Sequence, residues 1–99
     1  MRQVMVRYKV KPDRVAENEA LVRAVYEELE RDAPDGLRYA TFRLDDGVSF
    51  VHFAISDTES GRTPLSDIAA FQRFQEHIRD RCDEPPAASE LQAIGSYRL

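Results

Sequence analysis

The sequence has little of several things that would point to a particular kind of protein. It contains one cysteine, Cys82, which excludes an internal disulfide framework and a zinc site built on paired thiolates. It has no long apolar run, so we expect neither a signal peptide nor a membrane span, and a chain that stays in the cytoplasm. It also lacks cationic excess. The formal net charge is −4, which argues against nucleic acid as a partner.

What is present is ordinary globular composition, with 42% hydrophobic and 32% charged residues. The length predicts one domain over residues 1–99. Two-residue alternation predicts strands, and three- and four-residue spacing predicts amphipathic helices. The predicted elements are a strand over Gln3–Val10, a helix from Asp13 to Asp32, strands over Leu37–Leu44 and Val48–Ile55, a helix from Pro64 to Cys82 and a strand over Glu90–Arg98.

This order, βαββαβ, predicts an α+β, ferredoxin-like fold. Right-handed crossovers place both helices on one face of a four-stranded antiparallel sheet, with strands one and three at its centre. The other face of the sheet stays bare. We expect the helix side to take Val4, Val6, Ala40, Phe42, Val51, Phe53 and Ile55. Alternation then puts on the bare face Met5, Arg7, Lys9, Tyr39, Thr41, Arg43, Phe50 and His52.

A bare face of this composition suits neither a core nor water. Phe50 and Tyr39 would leave apolar area in solvent, while Arg7 and His52 are unfavourable to bury without partners. Partial closure by a second copy of the chain, around a small ligand, satisfies both requirements. A homodimer is the predicted partner state.

The whole chain resembles the dimeric α+β barrel superfamily and, within it, the antibiotic biosynthesis monooxygenase (ABM)-like domains. The resemblance rests on the ferredoxin-like order at this length and on three segments, which are Val10-Lys11-Pro12-Asp13, the strand Phe50–Ile55 and the helix Ala70–His77. It implies that two sheets pair face to face into a barrel. It also implies an activity, since family members oxidise phenolic polyketides or degrade haem with no prosthetic group beyond the substrate.

Two departures from the family pattern narrow this implication. Haem-degrading members carry an asparagine where this chain has Arg7, and the monooxygenases commonly use a tryptophan, which this chain lacks. Haem degradation is therefore disfavoured. His77 falls about where the helix-two histidine of those members lies, and it is retained as a candidate ligand contact.

The residues themselves suggest a chemistry for the bare face. His52 could take a proton from a phenol, and Arg7 and Arg43 could hold the resulting anion, with Phe50 and Tyr39 as walls. The competing interpretation is that these are polar residues of a dimer-facing surface, bonded to each other or to the partner. Asn18 lies in the apolar stripe of the first helix, where its amide must find partners, and it is a further candidate for ligand binding.

The predicted function is binding, and cofactor-independent monooxygenation, of a small aromatic or quinol-like compound. The alternative is a non-catalytic dimeric stress or regulatory module whose sheet face is simply its interface. No cofactor is expected. No metal is expected either, because His52, His77 and Cys82 do not have the spacing of a ligand set.

Overall fold

The computed structural model describes residues 1–60 and 62–98, which form four strands and three α-helices. Short 3₁₀ turns at Pro12–Arg14 and Pro64–Asp67 precede the first and second helices. No helix in the described ranges is long and apolar enough to cross a membrane. In chain order, the elements are β1 Arg2–Val10, α1 Val15–Asp32, β2 Leu37–Arg43, β3 Ser49–Ser56, α2 Ala69–Gln75, α3 Ile78–Arg81 and β4 Cys82–Glu90.

The four strands form one antiparallel sheet in the order β2-β3-β1-β4. This confirms the ferredoxin-like prediction, with strands one and three at the centre. Both longer helices pack on the same face: Tyr26 of α1 and Phe71 of α2 each contact the ring of Tyr39. The hydrophobic core between the sheet and the helices is one continuous cluster. Its buried members are Tyr8, Val10, Val22, Val25, Phe50, Leu65, Ile68, Ala70, Phe74 and Cys82.

The predicted side of the sheet is right for β1 and wrong for β2 and β3. Val6, which packs against the core, lies opposite His52, and Arg7 lies opposite Val51. Opposed residues of an antiparallel pair point to the same face, so His52 faces the helices and Arg7 faces away. The helix-facing residues of β2 and β3 are Leu37, Tyr39, Thr41, Arg43, Phe50, His52 and Ala54. The bare face carries Met5, Arg7, Lys9, Ala40, Phe42, Val51, Phe53 and Ile55.

The physical reason is that both faces of β3 are apolar. Val51, Phe53 and Ile55 form the more aliphatic set, which alternation alone assigns to the core. The helix-facing set contains His52 instead, and the core accepts it because its polar atoms find partners there. Period-two patterning cannot decide between two such sets.

The predicted second helix is three pieces rather than one. A 3₁₀ turn ends before Ile68, and a left-handed residue, His77 with φ 58°, separates α2 from α3. The predicted apolar stripe nevertheless packs as expected, with Leu65 and Phe74 buried. The stripe was therefore a correct guide to the core, although the helix it implied is interrupted.

The predicted last strand, Glu90–Arg98, is misplaced. The strand that pairs with β1 is Cys82–Glu90, and it contains Pro85-Pro86. Proline is tolerated in this place because β4 is an edge strand and its register shifts between the pairs Arg7↔Ala87 and Lys9↔Glu84. The two prolines lie inside that irregularity, where ladder hydrogen bonds are already interrupted.

Candidate functional site

A cavity of about 310 Å³ lies between the sheet and α2. Its walls are mostly aliphatic and aromatic side chains, including Val4, Leu65 and Phe71. Five polar residues reach it, which are Tyr8, Tyr39, His52, Gln75 and Arg79. The cavity is therefore apolar in its body and polar on the side where β1, β2 and β3 bring their tyrosines and histidine together.

His52 is the centre of the polar side. Its side chain is 4% exposed, and both ring nitrogens have partners. The Tyr8 hydroxyl lies 2.7 Å from Nε2, and the Tyr39 hydroxyl lies 2.5 Å from Nδ1. Thr41 Oγ1 is 3.1 Å from the same Nδ1 and 2.8 Å from the hydroxyl of Tyr26.

The hydrogen-bonded chain continues away from the cavity to a buried cation. Asn18, with 0% exposure, donates its Nδ2 to the Tyr8 hydroxyl at 3.0 Å. Arg81, with 1% exposure, donates Nε to Asn18 Oδ1 at 3.3 Å. Its other nitrogens donate to the carbonyl oxygens of Phe74 and Glu76, at 2.7 and 3.1 Å. None of the ion pairs in the described part of the chain involves Arg81, so its charge is dispersed over carbonyl and amide oxygens.

Burial shifts the pKa values of the side chains in this hydrogen-bonded series and so determines which of them are charged. It lowers the pKa of His52 to about 4, so the imidazole is neutral at neutral pH. Burial also raises the pKa of both Tyr8 and Tyr39, which keeps the two phenols protonated. The pKa of Arg81 is lowered by burial, but a guanidinium stays charged at any physiological pH. The site is thus a row of neutral groups with one fixed positive charge at its inner end.

The structure brings two of the predicted site residues together at the cavity, His52 and Tyr39. Phe50 is buried behind Tyr8, with the two rings stacked at 5.5 Å, and does not line the cavity. Asn18 is buried as expected, but it meets Tyr8 and Arg81 rather than the cavity.

The predicted cationic residues lie elsewhere. Arg7 is exposed on the bare face, across the sheet from His52. Arg43 lies on the helix side and forms an ion pair with Glu19 at 2.6 Å. His77 is exposed in the turn before α3, 3.5 Å from Asp80, and is not among the residues that line the cavity. Within the described ranges, no cluster of three or more metal-ligating side chains is present.

Three contributors were missed by sequence reasoning. Tyr8 looked like one more apolar residue of β1, although a tyrosine at a core position requires a partner for its hydroxyl. Arg79 is a cation at the cavity, in a helix read only for its apolar stripe. Arg81 gave the clearest signal, because it stands seven residues after Phe74 and three after Ile78, at a position of that stripe where a charge is out of place.

Comparison with known proteins finds solved structures that share the fold of this chain. The sequence matches no protein-family model and no curated protein. Solved structures do match. A candidate antibiotic biosynthesis monooxygenase from Nitrosomonas europaea superposes with a TM-score of 0.77 at 17% identity, over 96% of this chain and 100% of that one. Rv0793 from Mycobacterium tuberculosis superposes at 0.76 and 20% identity, over 96% of both chains.

The chain has the fold of the antibiotic biosynthesis monooxygenases. SnoaB from Streptomyces nogalater, described as a cofactor-independent oxygenase, shares this ABM fold with a TM-score of 0.70 at 16% identity, over 99% of this chain and 97% of that one. Identities this low establish the ABM fold alone. What this chain does with it depends on its own cavity and its own polar side chains.

Proposed function

We propose that this protein binds a small phenolic or quinol-like aromatic compound in the cavity beside α2 and oxidises it with molecular oxygen, without a prosthetic group. One observation carries the proposal. The Tyr39 hydroxyl and the His52 imidazole meet at the wall of a cavity that is otherwise apolar. The ABM fold, shared with a cofactor-independent oxygenase, supports the same conclusion.

The lining suits a flat ring with an oxygen at one end. Phe71 and Phe74 offer aromatic surface to a ring, and such contacts hold apolar ligands without demanding a polar match. Tyr39 is the hydroxyl available to the ligand oxygen. Among the described residues of the lining, Arg79 is the one that is charged, and it favours an anionic ligand at that wall.

The chemistry needs only the ligand and oxygen. A phenolate transfers an electron to O₂, the two radicals combine at a ring carbon, and the resulting hydroperoxide loses water to leave a quinone. Phenol plus O₂ therefore gives quinone plus water, with no external reductant. The contribution of the protein is to favour the phenolate, which Tyr39 and Arg79 do by hydrogen bonding and charge, and to exclude bulk water from it.

Binding of 1-naphthol, followed by titration calorimetry, together with oxygen uptake in its presence, tests this proposal. We expect saturable binding and uptake in the wild type. Tyr39→Phe should weaken binding and lower uptake, because it keeps the ring and removes the hydroxyl. The matched control is Tyr97→Phe, which makes the same change at a residue that is 80% exposed, and it should behave as the wild type. Oxygen uptake unaffected by Tyr39→Phe would contradict the proposed role of the site.

The proposal includes a homodimer formed through the bare face. Phe42 is 56% exposed there and packs edge-on against Phe53 at 6.1 Å. Val51, Phe53 and Ile55 beside it are half-buried, so this face leaves apolar area in solvent, which a second copy presenting the same surface would cover. The site itself lies on the other side of the sheet.

A second candidate function is a non-catalytic binding or regulatory module. The observation that favours it is that both nitrogens of His52 are bonded inside the protein, so the imidazole is not free to act as a base. On this alternative, the aromatic compound binds and is released unchanged. Binding of 1-naphthol without oxygen uptake in the wild type would select it.

A further inference from the structure

The buried chain from Arg81 to Tyr39 has a definite direction. A guanidinium has donors and no acceptor, so Arg81 must donate to Asn18. Asn18 therefore presents Oδ1 to Arg81 and turns its Nδ2 toward Tyr8, whose oxygen accepts. The other hydrogen-bond partner of this hydroxyl is Nε2 of His52, which is the one acceptor that the described residues offer to the Tyr8 hydrogen, so Tyr8 donates to Nε2.

The direction continues through the imidazole. A neutral histidine has one N–H and one acceptor nitrogen, and here Nε2 is the acceptor. The hydrogen of His52 is therefore on Nδ1, and it points at the oxygen of Tyr39, 2.5 Å away. Tyr39 accepts this hydrogen bond, which leaves its own hydrogen free for another acceptor. Thr41 Oγ1, which lies 3.1 Å from the same Nδ1, is a neighbouring acceptor that competes with a ligand for it.

We propose that Arg81, acting through Asn18 and Tyr8, fixes the order of protons along this chain so that the Tyr39 hydroxyl donates into the cavity. The site consequently takes its aromatic ligand through an acceptor oxygen, a phenolate or a quinone carbonyl. Arg81 is a positioning residue, because two residues and the imidazole separate it from Tyr39. This inference rests on the proposed function for the identity of the ligand, but not for the order of protons.

The burial of Arg81 supports a positioning role. A guanidinium that is 1% exposed loses its hydration, and the described residues give it carbonyl and amide oxygens in place of a carboxylate. An apolar residue of similar length would fill the same space without that penalty. A series of neutral groups that each donate and accept, such as an amide, a phenol and an imidazole, can order its hydrogen bonds in either direction. A group at its end that can only donate, such as Arg81, selects one of the two directions.

The first test needs no ligand. The chain has two histidines, so His77→Gln leaves a single imidazole for ¹⁵N nuclear magnetic resonance. We expect His52 to be the Nδ1–H tautomer at neutral pH. Arg81→Met should populate the Nε2–H tautomer, because the Asn18 amide is then free to reverse, and Arg81→Lys should restore Nδ1–H. Arg73→Met, the same change on the exposed part of α2, should leave the tautomer as it was.

Two outcomes would overturn the proton order. One is an Nε2–H tautomer in the His77→Gln protein with Arg81 intact. The other is an unchanged Nδ1–H tautomer in folded Arg81→Met protein. If Arg81→Met fails to fold, the tautomer measured with Arg81 in place still decides the order of protons, and Arg81→Gln, whose amide can donate or accept, takes the place of Arg81→Met with the same two outcomes for the role of Arg81.

The second test addresses the ligand. We expect 1,4-naphthoquinone, which has carbonyl acceptors and no donor, to bind about five- to tenfold more tightly than naphthalene, since one hydrogen bond is worth about that factor. Tyr39→Phe should abolish this preference. 1-Aminonaphthalene should gain less than the quinone, because its amine is chiefly a donor.

The two proposals fail separately. An Nδ1–H tautomer with no binding of any of these probes would contradict the proposed function and leave the role of Arg81 intact. Equal affinity for the quinone, the amine and naphthalene would overturn the selection of an acceptor oxygen. A reversed tautomer with tight quinone binding would overturn the role of Arg81 and leave the cavity as the binding site.

Discussion

At the scale of single residues, the Tyr8 hydroxyl joins the buried cation to the cavity. It bonds to Asn18 on one side and His52 on the other. Tyr8→Phe keeps the ring and leaves both partners without that oxygen in a buried setting, which should lower the free energy of unfolding by about 1–3 kcal/mol. Urea denaturation of the wild type and the variant measures this change in the free energy of unfolding. Tyr97→Phe, at an exposed tyrosine, should change it by less than about 0.5 kcal/mol. Equal effects of the two substitutions would show that the bonds of Tyr8 contribute nothing.

His52 links the site to pH. Its pKa falls from 6.5 in the unfolded chain to about 4 in the folded protein because it is buried. Between these values the unfolded state binds a proton that the folded state does not, so stability rises with pH there. The contribution of neutral, buried His52 to the free energy of unfolding is complete above pH 6.5 and is lost as the pH falls to about 4. The difference is roughly 3 kcal/mol, at about 1.4 kcal/mol per pKa unit.

Unfolding free energies at several pH values between 4 and 7 check this prediction. His52→Gln retains an acceptor for Tyr8 and a donor for Tyr39 but does not titrate. Its stability should therefore depend less steeply on pH than that of the wild type, while the carboxylates contribute equally to both. Parallel pH curves for the two proteins would contradict the assignment of a depressed pKa to His52.

Sequence reasoning at this scale found His52, Tyr39 and Asn18 but not how they are connected. Each is conspicuous alone: a histidine in a strand, a tyrosine beside it, an amide in an apolar stripe. Their connection passes through Tyr8 and Arg81, and Arg81 is 63 residues from Asn18 along the chain. No sequence-spacing rule connects residues that far apart, so this series of hydrogen bonds can be recognised only when the fold is known.

At the scale of elements, α2 depends on a cap supplied by another helix. Its own N-cap residue, Ile68, has no side-chain acceptor. The carboxylate of Glu28, on α1, instead accepts from the amides of Ala69 and Ala70 at 3.0 and 2.9 Å. This places a negative charge at the positive end of α2 and satisfies two of its free amides.

Glu28→Ala should therefore lower the free energy of unfolding by about 1 kcal/mol, the usual value of a lost cap. It should also speed hydrogen exchange at the amides of Ala69 and Ala70. Glu27→Ala, one position earlier on the exposed face of α1, makes the same change without touching α2. Slow exchange at both amides in Glu28→Ala would mean that the cap does not hold α2 in place.

The bounds of a strand or helix were predictable from the sequence where its hydrophobic periodicity and its turn or capping residues indicate the same ends. The first three strands and α1 lie within a residue or two of the predicted bounds, because alternation and capping signals coincide there. β4 was misplaced because Pro85-Pro86 argues against a strand unless that strand is known to be an edge with a shifted register. The break at His77 had no local signal, since a histidine is not a usual left-handed residue.

At the scale of the whole molecule, the main difference from the sequence-based prediction is that the helix-facing and bare sides of β2 and β3 are exchanged. The architecture itself was predictable, since order and handedness leave few alternatives for four strands and two helices. Which sides of β2 and β3 meet the helices was not predictable, because both sides of β3 are apolar and the side of β2 follows from its pairing with β3. The consequence is that the candidate site lies between the sheet and the helices of a single chain, and that the proposed dimer surface is distinct from it.

This separation predicts that association and ligand binding respond to different substitutions. Phe42→Arg introduces a charge into the Phe42–Phe53 pair of the bare face, so it should convert the proposed dimer to a monomer. Ile94→Arg introduces the same charge at an apolar residue that is 98% exposed and lies outside the sheet, so it should leave the dimer intact. Sedimentation velocity at micromolar concentration distinguishes the two. A wild-type monomer would contradict the barrel arrangement, and a dimer that survives Phe42→Arg would place the interface elsewhere. Because the cavity is on the far side of the sheet, the Phe42→Arg monomer should still bind 1-naphthol.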